Sequence, residues 1–235
     1  MAAYLLVGIA CNPMSIGSVR ASSLEGSSQY FDQGSALAKI LTREMWGAQP
    51  AMDGVQPQEP LSIILHHTGV RSSPKLSLES KMRALQSFSQ QRAQVSETRS
   101  RAPWPDVPYH YYIDPSGRIA EGRDVRYKGD TNTDYDVTGH IQIALEGNFE
   151  HELPTKQQLE AARDLLTWLT LSWGIPIQGI TAHKDHAKTV CPGKHLLEVL
   201  PRLLSTVDIQ RTSIIASMCT QERSHEFPRV RCSER

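Results

Sequence analysis

Apolar positions along this chain follow helical spacing in some segments and strict alternation in others, with polar, Pro- and Gly-containing stretches between them. The clearest helical pattern spans residues 155–174. Thr155 and Gln158 have the spacing of a capping box, and Gly174 supplies a C-terminal stop. The pattern therefore predicts an amphipathic helix, whose apolar face would consist of Leu159, Ala162, Leu166, Leu169 and Trp173.

Three further helical segments are predicted. Residues 74–94 carry one apolar stripe on an otherwise polar helix, and residues 193–205 form a Leu-rich closing helix. Thr42 begins a short helical turn that ends at Trp46 and Gly47.

Strands are predicted between these helices. Residues 61–65 are a short apolar run ending at His66, and residues 140–146 alternate apolar and polar. Residues 109–114 and 118–121 flank a Pro-Ser-Gly turn and form a hairpin. A last strand, 175–182, leads into His183. Alternating strands and helices with a hairpin predict a single α/β domain, with a mixed sheet of about five or six strands and about three main helices.

The two ends of the chain have a different composition from its centre. Residues 12–40 are predicted to be a Ser- and Gly-rich linker, residues 41–205 the folded domain, and residues 206–235 a loosely ordered tail. Residues 1–11 resemble a secretory or lipoprotein signal with Cys11 as the lipid acceptor. The absence of Lys or Arg before Arg20 counts against that interpretation.

Composition excludes several classes of protein. The formal net charge is 0, which argues against a nucleic-acid partner. No apolar run reaches the ~18–20 residues that cross a bilayer. The 4 Cys residues do not form a disulfide scaffold. Cys219 and Cys232 bracket a short segment and either pair in an oxidising compartment or remain free thiols.

Candidate metal ligands lie at the ends of two predicted strands. His183 and Cys191 are 8 positions apart across a polar, turn-like segment, and His66 ends a separate strand. Three protein ligands are typical of a catalytic zinc ion, whereas structural sites have four. Structural roles for the His and Cys residues remain open, and so does a Cys–His nucleophile pair. No His-Glu-x-x-His helix is present, which argues against the commonest zinc proteases.

Five sequence motifs occur in a characteristic order: T-R-E-M-W-G-A at 42–48, I-I-L-H-H-T at 63–68, W-P-D-V-P-Y-H-Y-Y-I-D-P-S-G-R-I-A-E-G-R-D at 104–124, I-A-L-E-G-N-F at 143–149 and A-H-K-D-H-A-K-T-V-C-P-G at 182–193. With them the chain resembles the zinc N-acetylmuramoyl-L-alanine amidases of the peptidoglycan-recognition-protein and phage-lysozyme type, the amidase-2 family. The resemblance covers residues 42–200. It implies that residues 41–205 are the catalytic domain.

The resemblance assigns site residues position by position. It implies one zinc ion held by His66, His183 and Cys191. It implies that Tyr109 donates to the oxyanion, a contribution of ~3 kcal/mol, and that Thr189 binds the substrate carbonyl or the zinc-bound water.

Neighbouring residues receive lesser roles. Lys188 is a lower-ranked candidate cation. Ala144 replaces the catalytic Glu of the recycling amidases, which places this chain with the Tyr-containing branch, and Glu146 is a weaker base candidate. His140 and His186 receive no family role and are expected at the surface or in the groove.

The function implied by the resemblance is hydrolysis of the amide between the lactyl group of N-acetylmuramic acid and L-Ala of the peptidoglycan stem peptide. The alternative is a non-catalytic peptidoglycan-binding module. The expected partner is peptidoglycan or a muropeptide, and the protein is expected to be a monomer. The expected location is the cell envelope, either periplasmic or anchored through Cys11.

Overall fold

The structure is a computed structural model that describes residues 36–73 and 75–224. Its strands are β1 (Ser62–His67), β2 (Ala93–Gln94), β3 (Ser100–Arg101), β4 (Tyr111–Ile113), β5 (Ile119–Glu121), β6 (His140–Leu145) and β7 (Ile180–Ala182). Its α-helices are α1 (Arg43–Trp46), α2 (Leu78–Ser89), α3 (Lys156–Trp173) and α4 (Lys194–Ser224), and short 3-10 turns cover Ala36–Lys39, Ile177–Gly179 and His183–Asp185. No helix in these ranges combines the length and apolar character needed to cross a membrane.

A mixed sheet of 5 strands forms the centre of the domain, in the order β5-β4-β6-β1-β7. Strand β1 runs parallel to both β6 and β7, and β4 runs parallel to β6. The β4–β5 pair is the predicted antiparallel hairpin. The predicted mixed α/β sheet with flanking helices is therefore confirmed.

Alternation along the central strands sends side chains to two cores. One face of the sheet packs against α3 and α4 through the larger cluster, which includes Ile63, Leu65, Ile143, Leu166 and Leu203. The other face packs against α1 and α2 through Trp46, Leu78, Met82, Tyr112 and Ala144. Both faces are thus covered, as expected for a sheet with parallel strands.

The local capping signals act as predicted. The Thr155 hydroxyl accepts the N–H of Gln158 while the Gln158 side chain accepts the N–H of Thr155, which forms the capping box of α3. Gly174 ends α3 in the left-handed conformation at φ 65°. Thr42 caps α1, and Gly47 ends it at φ 74°.

One helix and one strand have boundaries that differ from the sequence prediction. Helix α2 begins after Ser77, whose hydroxyl accepts the N–H of Ser80, and it ends at Ser89. The segment predicted as one strand at 175–182 begins with a 3-10 turn, and only Ile180–Ala182 pairs with β1.

The last helix corrects the expectation of a loosely ordered tail from Thr206. Helix α4 continues to Ser224, and both Val207 and Ile214 are buried. Gln210 joins it to α3, because its amide donates to Asp164 at 3.2 Å. These buried residues extend the apolar face of the helix beyond the Leu-rich part, which is why the helix continues.

The N-terminal linker prediction also needs correction at its end. Residues Ala36–Lys39 form a 3-10 turn, and Leu37 and Ile40 pack partly against the larger core. Residues 1–35, including Cys11, lie outside the described residues, as does Cys232.

Candidate metal centre

Three residues from separate segments converge at one edge of the sheet. His66 lies near the end of β1, His183 follows β7, and Cys191 lies in the loop before α4. Leu65 pairs with Ala182, so the parallel strands bring His66 and His183 to the same edge. One ligand atom from each of the three residues lies within 4.8 Å of the others, and all three side chains are buried. The structure therefore brings together the three predicted ligands.

The ring nitrogens show which atoms are free to bind an ion. His183 Nε2 is 2.7 Å from the hydroxyl of Thr133, whereas its Nδ1 is buried and has no hydrogen-bond partner within the described part of the chain. His66 Nδ1 lies 3.7 Å from Cys191 Sγ. Two imidazole nitrogens and a thiol sulfur are a donor set that zinc accepts. The orphaned Nδ1 of His183 and this donor set fit a metal ion.

Burial sets the protonation of the three candidate ligands. It lowers the pKa of His66 well below the ordinary value, and the nearby His183 adds to that shift. Burial likewise lowers the pKa of His183 to about 4. It raises the pKa of Cys191 to about 12, against the opposing effect of a hydrogen bond from the His67 N–H. Both imidazoles are therefore neutral at neutral pH, which is the form that binds metal.

The loop that carries Cys191 is fixed from several sides. The Cys191 N–H donates to Thr189 Oγ1 at 3.1 Å, and the His195 N–H donates to the carbonyl of Phe149 at 3.0 Å. Gly193 has φ 94°, and a Cβ there would lie 2.5 Å from the carbonyl carbon of Phe149. Only glycine allows the chain to pass so close to Phe149 at this backbone conformation.

Tyr109 lies beside the three-residue cluster. Its ring centroid is 5.4 Å from that of His66. Its carbonyl accepts the N–H of Arg123 at 2.9 Å, which ties the start of the hairpin to the following loop. Burial raises the pKa of Tyr109 above its ordinary value, so the phenol stays protonated and can donate a hydrogen bond.

Thr189 is half-buried in the loop two residues before Cys191. Its hydroxyl oxygen accepts the Cys191 N–H, and its hydroxyl hydrogen remains available to a ligand. The structure thus gives Thr189 a role in shaping the Cys191 loop, beside the substrate contact that the resemblance implies.

Other candidate residues lie outside the cluster. His67 follows His66 in β1 and therefore points to the opposite face of the sheet, where its Nδ1 accepts the Phe149 N–H at 3.2 Å. His140 and His186 are half-buried, with ring centroids 5.1 Å apart. Neither belongs to the three-residue cluster.

Glu146 is committed to a buried ion pair. Its carboxylate lies 2.8 Å from Lys81 Nζ and also accepts the Ser73 N–H at 2.8 Å. These contacts join the end of β6 to α2. The carboxylate therefore has a structural function in joining these elements.

Three residues near the ligands were missed by the sequence reasoning. Thr133 contacts His183, the Tyr135 ring centroid is 5.2 Å from that of His183, and Gln142 is buried in β6. The only sequence signal for the first two was the length of the polar 122–139 loop, which is unusual in a compact domain. Gln142 could have been noticed as a polar residue in an apolar strand.

Comparison with known proteins agrees with this geometry. A family model described as N-acetylmuramoyl-L-alanine amidase (Amidase_2) matches residues 56–194, more than half of the chain. Peptidoglycan-recognition protein SD of Drosophila simulans is 30% identical over 169 residues, which cover 68% of this chain and 83% of that protein. An N-acetylmuramoyl-L-alanine amidase of Sus scrofa is 30% identical over 168 residues, covering 68% of this chain and 26% of that longer protein.

A solved structure shows the same fold. The crystal structure of peptidoglycan recognition protein-LE in complex with tracheal cytotoxin, a monomeric diaminopimelic acid-type peptidoglycan, is 29% identical with a TM-score of 0.58. The superposition covers 69% of this chain and 92% of that chain. With the family match and the two relatives, this shows that the chain belongs to the Amidase_2 family of N-acetylmuramoyl-L-alanine amidases and peptidoglycan-recognition proteins.

Proposed function

We propose that this protein is a zinc-dependent amidase that hydrolyses the bond between the lactyl group of N-acetylmuramic acid and L-Ala of the peptidoglycan stem peptide. The observation that carries the proposal is the buried cluster of His66, His183 and Cys191 with Tyr109 beside it. Membership in the Amidase_2 family supports it, as does the similarity to a relative named as this amidase.

The three clustered side chains would hold one zinc ion. Nδ1 of His66 faces Cys191 Sγ, and Nδ1 of His183 has no competing partner in the described segments. When bound, the ion supplies a Lewis acid that polarises the amide carbonyl and lowers the pKa of water. Three protein ligands are the number found at catalytic zinc sites.

Tyr109 and Thr189 act on the substrate carbonyl. The protonated Tyr109 hydroxyl donates to the oxyanion that develops as the amide is attacked, where a donor is worth ~3 kcal/mol. The free hydroxyl hydrogen of Thr189 donates to the same carbonyl. Water adds its hydroxyl group to the carbonyl carbon and gives its proton to the leaving nitrogen, so the C–N bond breaks and L-Ala departs with a free amine. The 122–139 loop and α2 wall the groove that holds the sugar and the peptide.

The proposal extends to partner and location. The substrate is peptidoglycan or a muropeptide, and the protein acts as a monomer in the cell envelope, either periplasmic or anchored through a lipid at Cys11. The competing function is peptidoglycan binding without hydrolysis. All three candidate ligand residues are present, and their ligand atoms lie within 4.8 Å of one another, which favours the enzyme over the binding module.

The decisive experiment measures zinc content and cleavage on the purified full-length protein. We expect about one zinc ion per chain and release of new L-Ala N-termini from cell-wall sacculi. His183→Ala should abolish both zinc binding and release. His186→Ala is the matched control, because His186 lies in the same segment but outside the cluster, and it should retain both.

Two results would contradict the proposal in different ways. Full activity after chelation of zinc would refute the metal-dependent mechanism. Binding of sacculi by the zinc-loaded protein without cleavage would instead establish the non-catalytic function.

A further inference from the structure

The second ring nitrogen of His66 lacks a partner. Nδ1 faces the sulfur of Cys191 at 3.7 Å, and Nε2 is buried without a hydrogen bond in residues 36–73 and 75–224. A neutral imidazole that offers Nδ1 to a metal carries its proton on Nε2. That buried N–H needs an acceptor, because an unsatisfied buried donor costs about 1–3 kcal/mol.

Gln142 is placed to provide the acceptor. In the parallel β1–β6 pair, Gln142 lies opposite Ile64 and Ala144 lies opposite His66. Gln142 therefore shares a sheet face with His66 and is its diagonal neighbour, two residues along the adjacent strand. Burial lowers the pKa of His66, and the Gln142 side chain opposes that lowering, as a hydrogen-bond acceptor close to the ring does.

The surroundings of Gln142 hold its amide in place. The Tyr135 hydroxyl donates to Gln142 Oε1 at 3.4 Å, which leaves the second lone pair of that oxygen available. The backbone N–H of Gln142 donates to His110 Nδ1 at 2.7 Å, which fixes the main chain below the side chain, whereas Gln142 Nε2 has no hydrogen-bond partner among the described residues. Gly129 leaves the room for the amide, since a Cβ there would lie 2.0 Å from Gln142 Nε2. Gln142 is fully buried, so water does not compete for its oxygen.

We propose that Gln142 is a positioning residue of the metal site, whose Oε1 accepts a hydrogen bond from His66 Nε2–H and so keeps Nδ1 turned toward the metal. This inference rests on the proposed zinc site. The hydrogen bond selects the correct tautomer and fixes the orientation of the ring. Outer partners of this kind typically change metal affinity by about 10–100-fold.

Zinc affinity of the full chain, measured by competition with a chelator, tests the proposal. Gln142→Met keeps the length of the side chain but removes the acceptor, and we expect it to weaken zinc binding about 10–100-fold. Gln142→Glu restores an acceptor oxygen and should bind zinc at least as tightly as the unmodified protein. Gln86→Met is the matched control, because Gln86 is equally buried but bonds to Asp106 instead. It should leave zinc affinity unchanged.

The outcomes separate this inference from the zinc proposal. Failure of the unmodified protein to bind zinc would refute the proposed function. Normal zinc binding by Gln142→Met would refute only the role of Gln142.

Nitrogen NMR of His66 in the unmodified, metal-free protein gives a test that needs no variant. We expect the proton on Nε2. A proton on Nδ1 would overturn the inference even if the substituted proteins failed to fold.

Discussion

The backbone N–H of His67 donates to Sγ of Cys191 at 3.4 Å, although the two residues are 124 positions apart in sequence. The sulfur of one candidate ligand is therefore oriented by the residue next to another, His66. This contact fixes the spacing between β1 and the Cys191 loop before any ion is bound. The site is in this sense preorganised by the backbone of β1.

Zinc binding at pH 6 should release about one proton per chain, since a metal-bound thiol is deprotonated. Burial raises the pKa of Cys191 to about 12, so the free thiol is protonated. The pKa of His183 is lowered to about 4 and that of His66 is also lowered, so the imidazoles contribute no proton.

Calorimetry in buffers of different ionisation enthalpy measures this release. Two or more protons would show that the imidazoles are charged in the metal-free protein. No release would show that Cys191 is already a thiolate.

Tyr109→Phe should lower kcat about 100-fold, which corresponds to ~3 kcal/mol of oxyanion stabilisation. The ring beside His66 remains in this variant, so zinc content and KM should change little. The measurement is the steady-state rate on a soluble muropeptide.

Tyr111→Phe provides the control for the tyrosine prediction. Tyr111 belongs to the core on the opposite face of the sheet, where its ring contacts Trp168 at a centroid distance of 6.2 Å. Removal of the Tyr111 hydroxyl in this variant should leave kcat unchanged. Equal rates for Tyr109→Phe and the unmodified enzyme would remove Tyr109 from the mechanism.

Much of the fold could be predicted from the sequence because its signals are local. The capping box at Thr155 and the terminal glycine at 174 act within one turn of helix, so they mark α3 without reference to the rest of the chain. The end of α4 could not be found in this way. Val207 and Ile214 are spaced widely among polar residues, and their burial depends on contact with another part of the fold.

The residues of the candidate site show the same difference between local sequence signals and tertiary contacts. His66, His183 and Cys191 were identified because they lie in short motifs that resemble a family. Thr133 and Tyr135 reach His183 from a loop whose sequence has no period, and only the folded loop brings them there. Their contacts depend on tertiary structure that no spacing rule specifies.

The metal-free protein should lose stability as the pH falls from about 6.5 to about 4. Burial lowers the pKa of His110 to about 4 from the ordinary 6.5. Its Nδ1 accepts the Gln142 N–H, and its Nε2 donates to the Tyr127 carbonyl at 2.9 Å. Because the unfolded chain takes up the proton first, stability contributed by the neutral ring is complete above about pH 6.5 and is lost below it, by on the order of 2–3 kcal/mol.

Urea unfolding at pH 7.5 and pH 5 measures the loss, and proton NMR of His110 assigns it. The His110 resonance should titrate near pH 4 in the folded protein. Titration near 6.5 would contradict the prediction.

Val207→Ala should lower the free energy of unfolding by about 2 kcal/mol, because it removes two buried methyl groups from the α3–α4 contact. Ile209→Ala, two positions further along the same helix, should change it by less than about 0.5 kcal/mol, since Ile209 is 67% exposed. Chemical denaturation compares the two variants. Equal effects would show that α4 does not pack on the core beyond Ser205.

The close approach of Gly193 to Phe149 has a consequence for reading mutational data. Any side chain at this position would collide with the backbone of Phe149 and force the Cys191 loop to shift, which should move the sulfur away from His66. A saturation screen scored on zinc retention should therefore rank Gly193 with His66, His183 and Cys191. The screen would therefore identify a residue that has no atom able to bind the ion. Its effect on metal affinity arises because the backbone conformation at Gly193 determines where the Cys191 sulfur lies.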